Sequence, residues 1–310
     1  MIFVYILAGL VVLYCIFLGI LVRKFSYMIL KPATHTYESM LDECLMNKRF
    51  TREYIDSLTP ELIDVPSRYG YTLKGMILDN EISKRPENHE RVAILCHGYT
   101  ASRISMIGYA RRLMDLGFTC VMYDHRNHGE TGKVAYTTMS YFEKYDLQSV
   151  IDFCYDRFGD DIRILTYGES MGSAIVLSNL EIDSRPALTI ADCGYSDLKE
   201  LCEYLIIARF HIPKVFPVIP LARRVILRKA GFDINDVHPK TGVMKAETPI
   251  LFCHGKADNF IPCTMSEDMS KLGHGVRKLH LFDDARHALS EVRHPEEYTR
   301  VITEFINEYY

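Results

Sequence analysis

A chain of 310 residues that is 48% hydrophobic and 25% charged has the composition of a globular protein, and its net charge of −4 gives no electrostatic footprint for nucleic acid. The 12 histidines and nine cysteines show no paired metal-ligand spacing, no HExxH occurs, and Asn127 to Val134 lacks the first glycine and the Ser/Thr of a phosphate-binding loop. Neither a metal nor a cofactor is therefore expected, and without internal repeats the length suits one domain with a large core.

Met1 to Val22 carries no charged side chain and is dominated by Ile, Leu, Val, Phe and Tyr until Arg23 and Lys24. As a helix rising about 1.5 Å per residue it spans the roughly 30 Å hydrocarbon core, so residues 1–22 are expected to form a single transmembrane anchor. A cleaved signal peptide fits less well, because no basic stretch precedes the run and no small-x-small pattern follows it. A buried globular helix would show a polar face. The flanking Arg23, Lys24 and Lys31 place the following domain on the cytoplasmic side by the positive-inside rule. The odd cysteine count agrees, with Cys96, Cys120 and Cys253 in expected core strands as small buried hydrophobes.

Residues 23–64 read as a linker in which Tyr37 to Leu58 has helical spacing, with Met40, Leu41, Cys44 and Leu45 as its apolar positions. The domain is expected to occupy residues 65–310. It opens with a hairpin over Ser67 to Leu78, after which strand and helix patterns alternate, as in a parallel sheet covered by helices on both faces. Arg91 to Cys96 is a short apolar strand ending in His97-Gly98-Tyr99-Thr100, ahead of a helical stretch from Ser102 to Leu116. Gly98 allows the backbone to approach a ligand, which makes the Tyr99 amide a candidate oxyanion donor, while His97 reads as structural. In Asp124-His125-Arg126, the charged pair is expected to fix the loop after its strand.

The strand-like Asp161 to Tyr167 runs into Gly168-Glu169-Ser170-Met171-Gly172 and then into the helix-like Ser173 to Leu180. This is the context of a nucleophile elbow, in which a strained serine stands clear of the sheet and only glycines two residues away let the backbones pass. The Met171 amide, at the start of the helix, is the second candidate oxyanion donor. Glu169 is placed to make supporting hydrogen bonds.

About fifty residues separate the strand Ala187 to Asp192 from the strand at Pro249, where a crossover helix needs far fewer. A cap insertion is expected at about 196–240. Its apolar residues include Leu205, Phe210, Val215 and Phe216, and Arg223, Arg224, Arg228 and Lys229 follow. An apolar cap above a serine favours an acyl chain, unless those residues only pack the cap on the core. The basic cluster reads as a solvated helix face, with lipid headgroups as the alternative.

Pro249 to His254 leads into a loop bearing Asp258, and Arg277 to Phe282 leads into a loop bearing His287. The carboxyl ends of parallel strands share one edge, so Ser170, Asp258 and His287 can converge as nucleophile, orienting acid and base, in the order serine, acid, histidine. Asp192, at the end of the strand after the elbow helix, is the alternative acid.

On these residues the chain resembles an α/β-hydrolase of the serine aminopeptidase-like or monoglyceride lipase-like branch, from roughly Val65 to the C-terminus. The likeness is carried by His97-Gly98, by Asp124 to Gly129, by the elbow and by the loops holding Asp258 and His287. It implies an α/β-hydrolase fold, with a mostly parallel twisted sheet, helices on both faces and a small helical cap. It also implies a serine hydrolase without cofactor, which cleaves a carboxylic ester through an acyl-enzyme on Ser170. Some bacterial relatives of this kind carry an N-terminal membrane anchor. A peptidase or amidase is the alternative, although peptidases of this type hold a free amine with acidic cap residues and this cap is basic and apolar. A non-catalytic membrane-tethered binding module is disfavoured, since neither serine nor histidine is lost. The expected partners are a small ester or acyl compound, lipid-like ones included, and a membrane through the N-terminal helix.

Overall fold

A computed structural model describes residues 1–213 and 216–310 of the chain. Of the expected cap residues, Val215 lies outside the described residues. The helices, in chain order, are α1 (Ile2–Leu30), α2 (Tyr37–Met46), α3 (Arg52–Ser57), α4 (Ile107–Asp115), α5 (Glu143–Phe158) and α6 (Met171–Asn179). They continue with α7 (Leu198–Ala208), α8 (Val218–Ala230), α9 (Pro239–Lys245), α10 (Thr264–Met269), α11 (Ser290–Arg293) and α12 (Pro295–Tyr309). The strands are β1 (Glu61–Pro66), β2 (Thr72–Leu78), β3 (Arg91–Cys96), β4 (Thr119–Tyr123), β5 (Arg163–Glu169), β6 (Pro186–Asp192), β7 (Ile250–Gly255) and β8 (Arg277–Phe282).

Among the described residues these strands form one sheet in the order β1-β2-β4-β3-β5-β6-β7-β8. β1 and β2 pair antiparallel, β2 joins β4 antiparallel, and every later pairing is parallel. The strand sequences reflect this placement. β3 and β7 are covered on both faces and read as continuous apolar runs, Val92 to Cys96 and Ile250 to Cys253, whereas edge strand β1 buries only Ile63 and Val65. One core face packs α5, α6 and the cap, and the other packs α2, α4 and α12. α12 buries Tyr298, Val301, Ile302, Phe305 and Ile306, the i, i+3, i+4, i+7, i+8 stripe of an amphipathic helix. All nine residues of α6 are buried. Ideal N-caps fix three other helix starts: Thr36 accepts from the Ser39 amide, Thr51 from the Tyr54 amide and Asp197 from the Glu200 amide.

Three local expectations change. The opening hairpin begins earlier than Ser67, because its first arm is Glu61–Pro66 and Ser67 to Tyr71 form the turn. The linker holds two helices, α2 and α3, since Asn47 to Phe50 break the run and Thr51 caps a new start. The expected role of Asp124 and Arg126 in fixing the loop after β4 is met through separate partners: Asp124 binds Arg103 and accepts from the Glu130 amide at 2.9 Å, and Arg126 reaches Asp146 at 2.8 Å. α1 also extends to Leu30, past the expected end at Val22, and its last turns enter the domain, with Val22, Phe25, Ser26, Ile29 and Leu30 buried. The part from Ile2 to Phe17 is exposed, and the helix is long and apolar enough to cross a membrane.

Candidate active site

The elbow is built as its glycines require. Ser170 adopts φ 57°, ψ −114°, a conformation that side-chain-bearing residues rarely occupy, and its amide is held by the Asp192 carbonyl at 2.8 Å. A Cβ on Gly168 would stand 2.2 Å from the Gly172 carbonyl oxygen, and one on Gly172 would stand 1.9 Å from that of Cys96. The crossing of β5, α6 and the end of β3 is therefore possible only with glycine at both positions.

Ser170 Oγ lies 2.9 Å from His287 Nε2, and His287 Nδ1 donates to Asp258 Oδ2 at 2.7 Å. This connection allows a neutral imidazole to accept the hydroxyl proton while the carboxylate holds its tautomer. Asp258 is itself over-determined. Its Oδ1 accepts from the Phe260 and Ile261 amides at 2.8 and 2.9 Å, and its Oδ2 also receives His254 Nε2 at 3.2 Å. Burial alone would raise this carboxyl, but the hydrogen bonds from His254 and His287 hold it well below the usual carboxylate range. His254, locked on its other side by the Ser266 hydroxyl at 2.8 Å, was not singled out by sequence reasoning. Its only signal is a histidine four residues before the acid at a strand end.

Asp192 lies elsewhere. Its Oδ2 accepts from the Tyr298 hydroxyl at 2.7 Å, and burial pushes its pKa up to about 7, with the Glu169 charge adding to the rise. The proton is bound more tightly in the folded chain than in the unfolded one, so the contribution of Asp192 to stability is full below about pH 4 and is lost as pH rises through about 7. Asp192→Asn should therefore melt several degrees higher than wild type at pH 8, with the gap closing at pH 4, as read by thermal scans at both pH values.

The loop from His97 to Thr100 sits against the serine. A Cβ on Gly98 would stand 3.5 Å from Ser170 Cβ, so the Tyr99 segment passes beside Ser170. Met171 is the first residue of α6, where amides have no intrahelical acceptor. Three buried histidines support the loop. His97 Nε2 accepts from the His125 amide at 3.0 Å, His125 Nε2 donates to the His97 carbonyl at 3.1 Å, and His128 Nε2 accepts from the Thr100 amide at 3.3 Å. Burial lowers all three pKa values, that of His128 to about 4, which suits neutral framework groups.

Two recesses of about 310 Å³ each meet at Ser170. One is apolar, walled by Leu201 and Leu205 of α7, Phe260, and Phe25, Met28 and Ile29 of α1. The other is polar and reaches Arg49, Glu169 and Glu43 beside His287. Glu169 is neutralised there: Arg49 approaches at 2.9 Å and the Tyr109 hydroxyl donates at 2.6 Å. Glu43 pairs with His35 at 3.1 Å. Arg49 lies in the linker, where sequence reasoning did not seek a site residue. Cys193 Sγ lies within 4.8 Å of the donor atoms of Asp258 and His287. Burial pushes this thiol well up, and the imidazole and carboxylate are already engaged, which ill suits a metal.

Residues 87–190 match the family described as serine aminopeptidase, S33. The chain is 28% identical to the uncharacterized protein YqkD of Bacillus subtilis over 91% of each sequence. It is 24% identical to the uncharacterized protein YfhR of Escherichia coli over 81% of this chain and 82% of that one. Among solved structures, the Pyrococcus furiosus esterase Pf2001 superposes with a TM-score of 0.65 at 20% identity, covering 84% of this chain and 96% of that one. The eight-stranded sheet, its order and these likenesses identify the chain as an α/β-hydrolase in fold, similar over residues 87–190 to the serine aminopeptidase family.

Proposed function

We propose that the protein is a serine hydrolase that cleaves carboxylic esters with an apolar acyl group. The observation that carries this is Ser170 Oγ, 2.9 Å from His287 Nε2, at the base of an apolar recess. Ser170 Oγ attacks the ester carbonyl as His287 Nε2 takes its proton, with Asp258 stabilising the imidazolium. The Tyr99 and Met171 amides bind the resulting oxyanion. Collapse breaks the bond to the alcohol oxygen, which receives the proton from His287, and the acyl group remains on Ser170. Water, deprotonated by His287, then releases the acid and restores the serine.

A peptidase or amidase is favoured by the family matched over residues 87–190. An aminopeptidase needs a free carboxylate for the substrate amine, whereas in the polar recess Glu169 is already paired with Arg49 and Glu43 is engaged by the His35 ring at 3.1 Å. A fluorophosphonate probe should label wild type and leave Ser170→Ala and His287→Ala unlabelled. Butyrate and longer esters should turn over at least 100-fold faster than aminoacyl amides. The reverse preference would make the protein a peptidase, and an unlabelled, well-folded wild type would end the hydrolase proposal.

We also place α1 in a membrane as an anchor. The helix continues unbroken to Leu30 and its last turns are part of the domain core, so a cleaved leader would take part of the fold with it. Arg23, Lys24 and Lys31 favour a cytoplasmic domain, and the nine cysteines are all free.

A further inference from the structure

α1 contributes more than a tether would need. Phe25, Met28 and Ile29 form one wall of the apolar recess that ends at Ser170. The helix is fastened where it does so: the Tyr99 hydroxyl donates to the Met28 carbonyl, and the Thr137 amide donates to the Leu30 carbonyl at 3.1 Å. The residue whose amide faces the proposed oxyanion thus also holds the anchor in place.

The opposite wall is the cap. The Phe25 and Phe210 rings meet edge to face at 6.4 Å, and Phe210 lines the recess while remaining 42% exposed, which puts it at the mouth. Ile207 and Leu227 are exposed apolar residues of the two cap helices. The cap follows α1 outward as far as Tyr14, whose ring lies 6.1 Å from that of Phe216. Tyr14 precedes Arg23 by nine residues, roughly 14 Å along a helix, so a bilayer that receives the exposed part of α1 also receives the edge of the cap. Basic residues accompany this boundary. Arg23, Lys24, Arg224, Arg228 and Lys229 are all exposed, and Lys229 Nζ stands 5.3 Å over the Tyr27 ring, next to the end of the span. Cations at that level suit phosphate-bearing headgroups, while the exposed apolar side chains suit the acyl region.

We infer that the recess takes its acyl chain directly from the bilayer, between α1 and the cap, so that the anchor helix is one wall of the substrate site and the substrate class is a membrane-resident acyl ester. This rests on the ester-hydrolase function and membrane anchor proposed above. A chain entering here leaves one apolar medium for another and is never exposed to water, which removes the desolvation cost of extracting it. Soluble acyl esters could offer the same chain chemistry, and the source is what the test must separate.

Full-length protein is reconstituted into phosphatidylcholine vesicles, with p-nitrophenyl palmitate either in the same vesicles or in a separate population, and p-nitrophenyl acetate in the water phase. Palmitate hydrolysis should be at least tenfold faster when enzyme and ester share a vesicle; equal rates would overturn entry from the bilayer. Met28→Trp, which fills the wall, and Phe210→Asp, which charges the mouth, should each lower the palmitate-to-acetate rate ratio at least tenfold. An unchanged ratio in both would overturn the role of α1. Should Met28→Trp fail to fold, Met28→Phe, a smaller filling of the same α1 wall, takes its place, with Phe210→Asp reporting on the mouth. A wild type that hydrolyses neither ester and takes up no fluorophosphonate would instead remove the hydrolase function, and this inference with it.

Discussion

Turnover of the preferred ester should fall by about 10⁶-fold in Ser170→Ala and about 10⁴-fold in Asp258→Asn, while Asp192→Asn stays within about threefold of wild type. Removing the hydroxyl removes the nucleophile and leaves only what the oxyanion donors and binding can do. The Asp258 change acts through the imidazole. An Asn amide nitrogen facing His287 Nδ1 cannot accept its proton, so the ring turns to the tautomer with hydrogen on Nε2, which cannot take the Ser170 proton. Two backbone amides and His254 hold the Asp258 carboxylate in place, which leaves little freedom for the new side chain to adapt. Asp192 faces Tyr298 and has no such route to the base. Steady-state kinetics on the three purified variants, with circular dichroism to verify folding, reads the ranking. A greater loss in Asp192→Asn than in Asp258→Asn would make Asp192 the acid, and more than a few per cent of activity in Ser170→Ala would remove the nucleophile assignment.

Gly172→Ala should cost about 3–5 kcal/mol of stability and, in any fraction that folds, most of the activity. One methyl group is added, yet its carbon would lie 1.9 Å from the Cys96 carbonyl oxygen and 2.8 Å from that of His97, both backbone atoms at the end of a central strand. Neither β3 nor α6 can yield without opening the sheet edge that positions Ser170, Gly98 and Tyr99. Close-packed cores answer such overfilling with backbone shifts. Thermal melting should show a drop on the order of 10 °C, whereas Gly9→Ala, in a helix position with open space around it, should leave the transition in place. A Gly172→Ala protein that melts within 2 °C of wild type would contradict the crossing geometry.

Much of the site was legible because its chemistry is local. The elbow needs five consecutive residues between a strand and a helix, and β5 and α6 occur where that pattern requires them. Asp258 and His287 each lie just after a strand of a parallel sheet, which sends them to one edge whatever the rest of the chain does. β3 and β8 match the expected strands residue for residue, Arg91–Cys96 and Arg277–Phe282; in β3 a short apolar run bounded by loop residues has no other way to bury itself, whereas β8 is an edge strand that buries only Phe282. The hairpin start was displaced for a complementary reason: β1 is an edge strand that buries only Ile63 and Val65, so its pattern hardly differs from that of a linker.

Residue order by itself determined which residues are candidates for the site, the alternation that makes a parallel sheet, and an apolar segment long enough to cross a membrane. All three are encoded in short-range pattern, where steric and hydrophobic periodicity act within a few residues. Only the tertiary structure decided which side chains share a space. His254 meets Asp258 beside the triad, Arg49 comes from the linker to neutralise Glu169, and Phe25, Met28 and Ile29 of the apolar helix turn from tether into pocket wall. Those contacts join distant segments: Arg49 and Glu169 are 120 residues apart in the chain, and Phe25 and Phe260, which line one recess, are 235 apart. They are set by how layers pack around the sheet, where the free energy depends on shape and on charge pairing in low dielectric, and neither leaves a periodic trace in the chain.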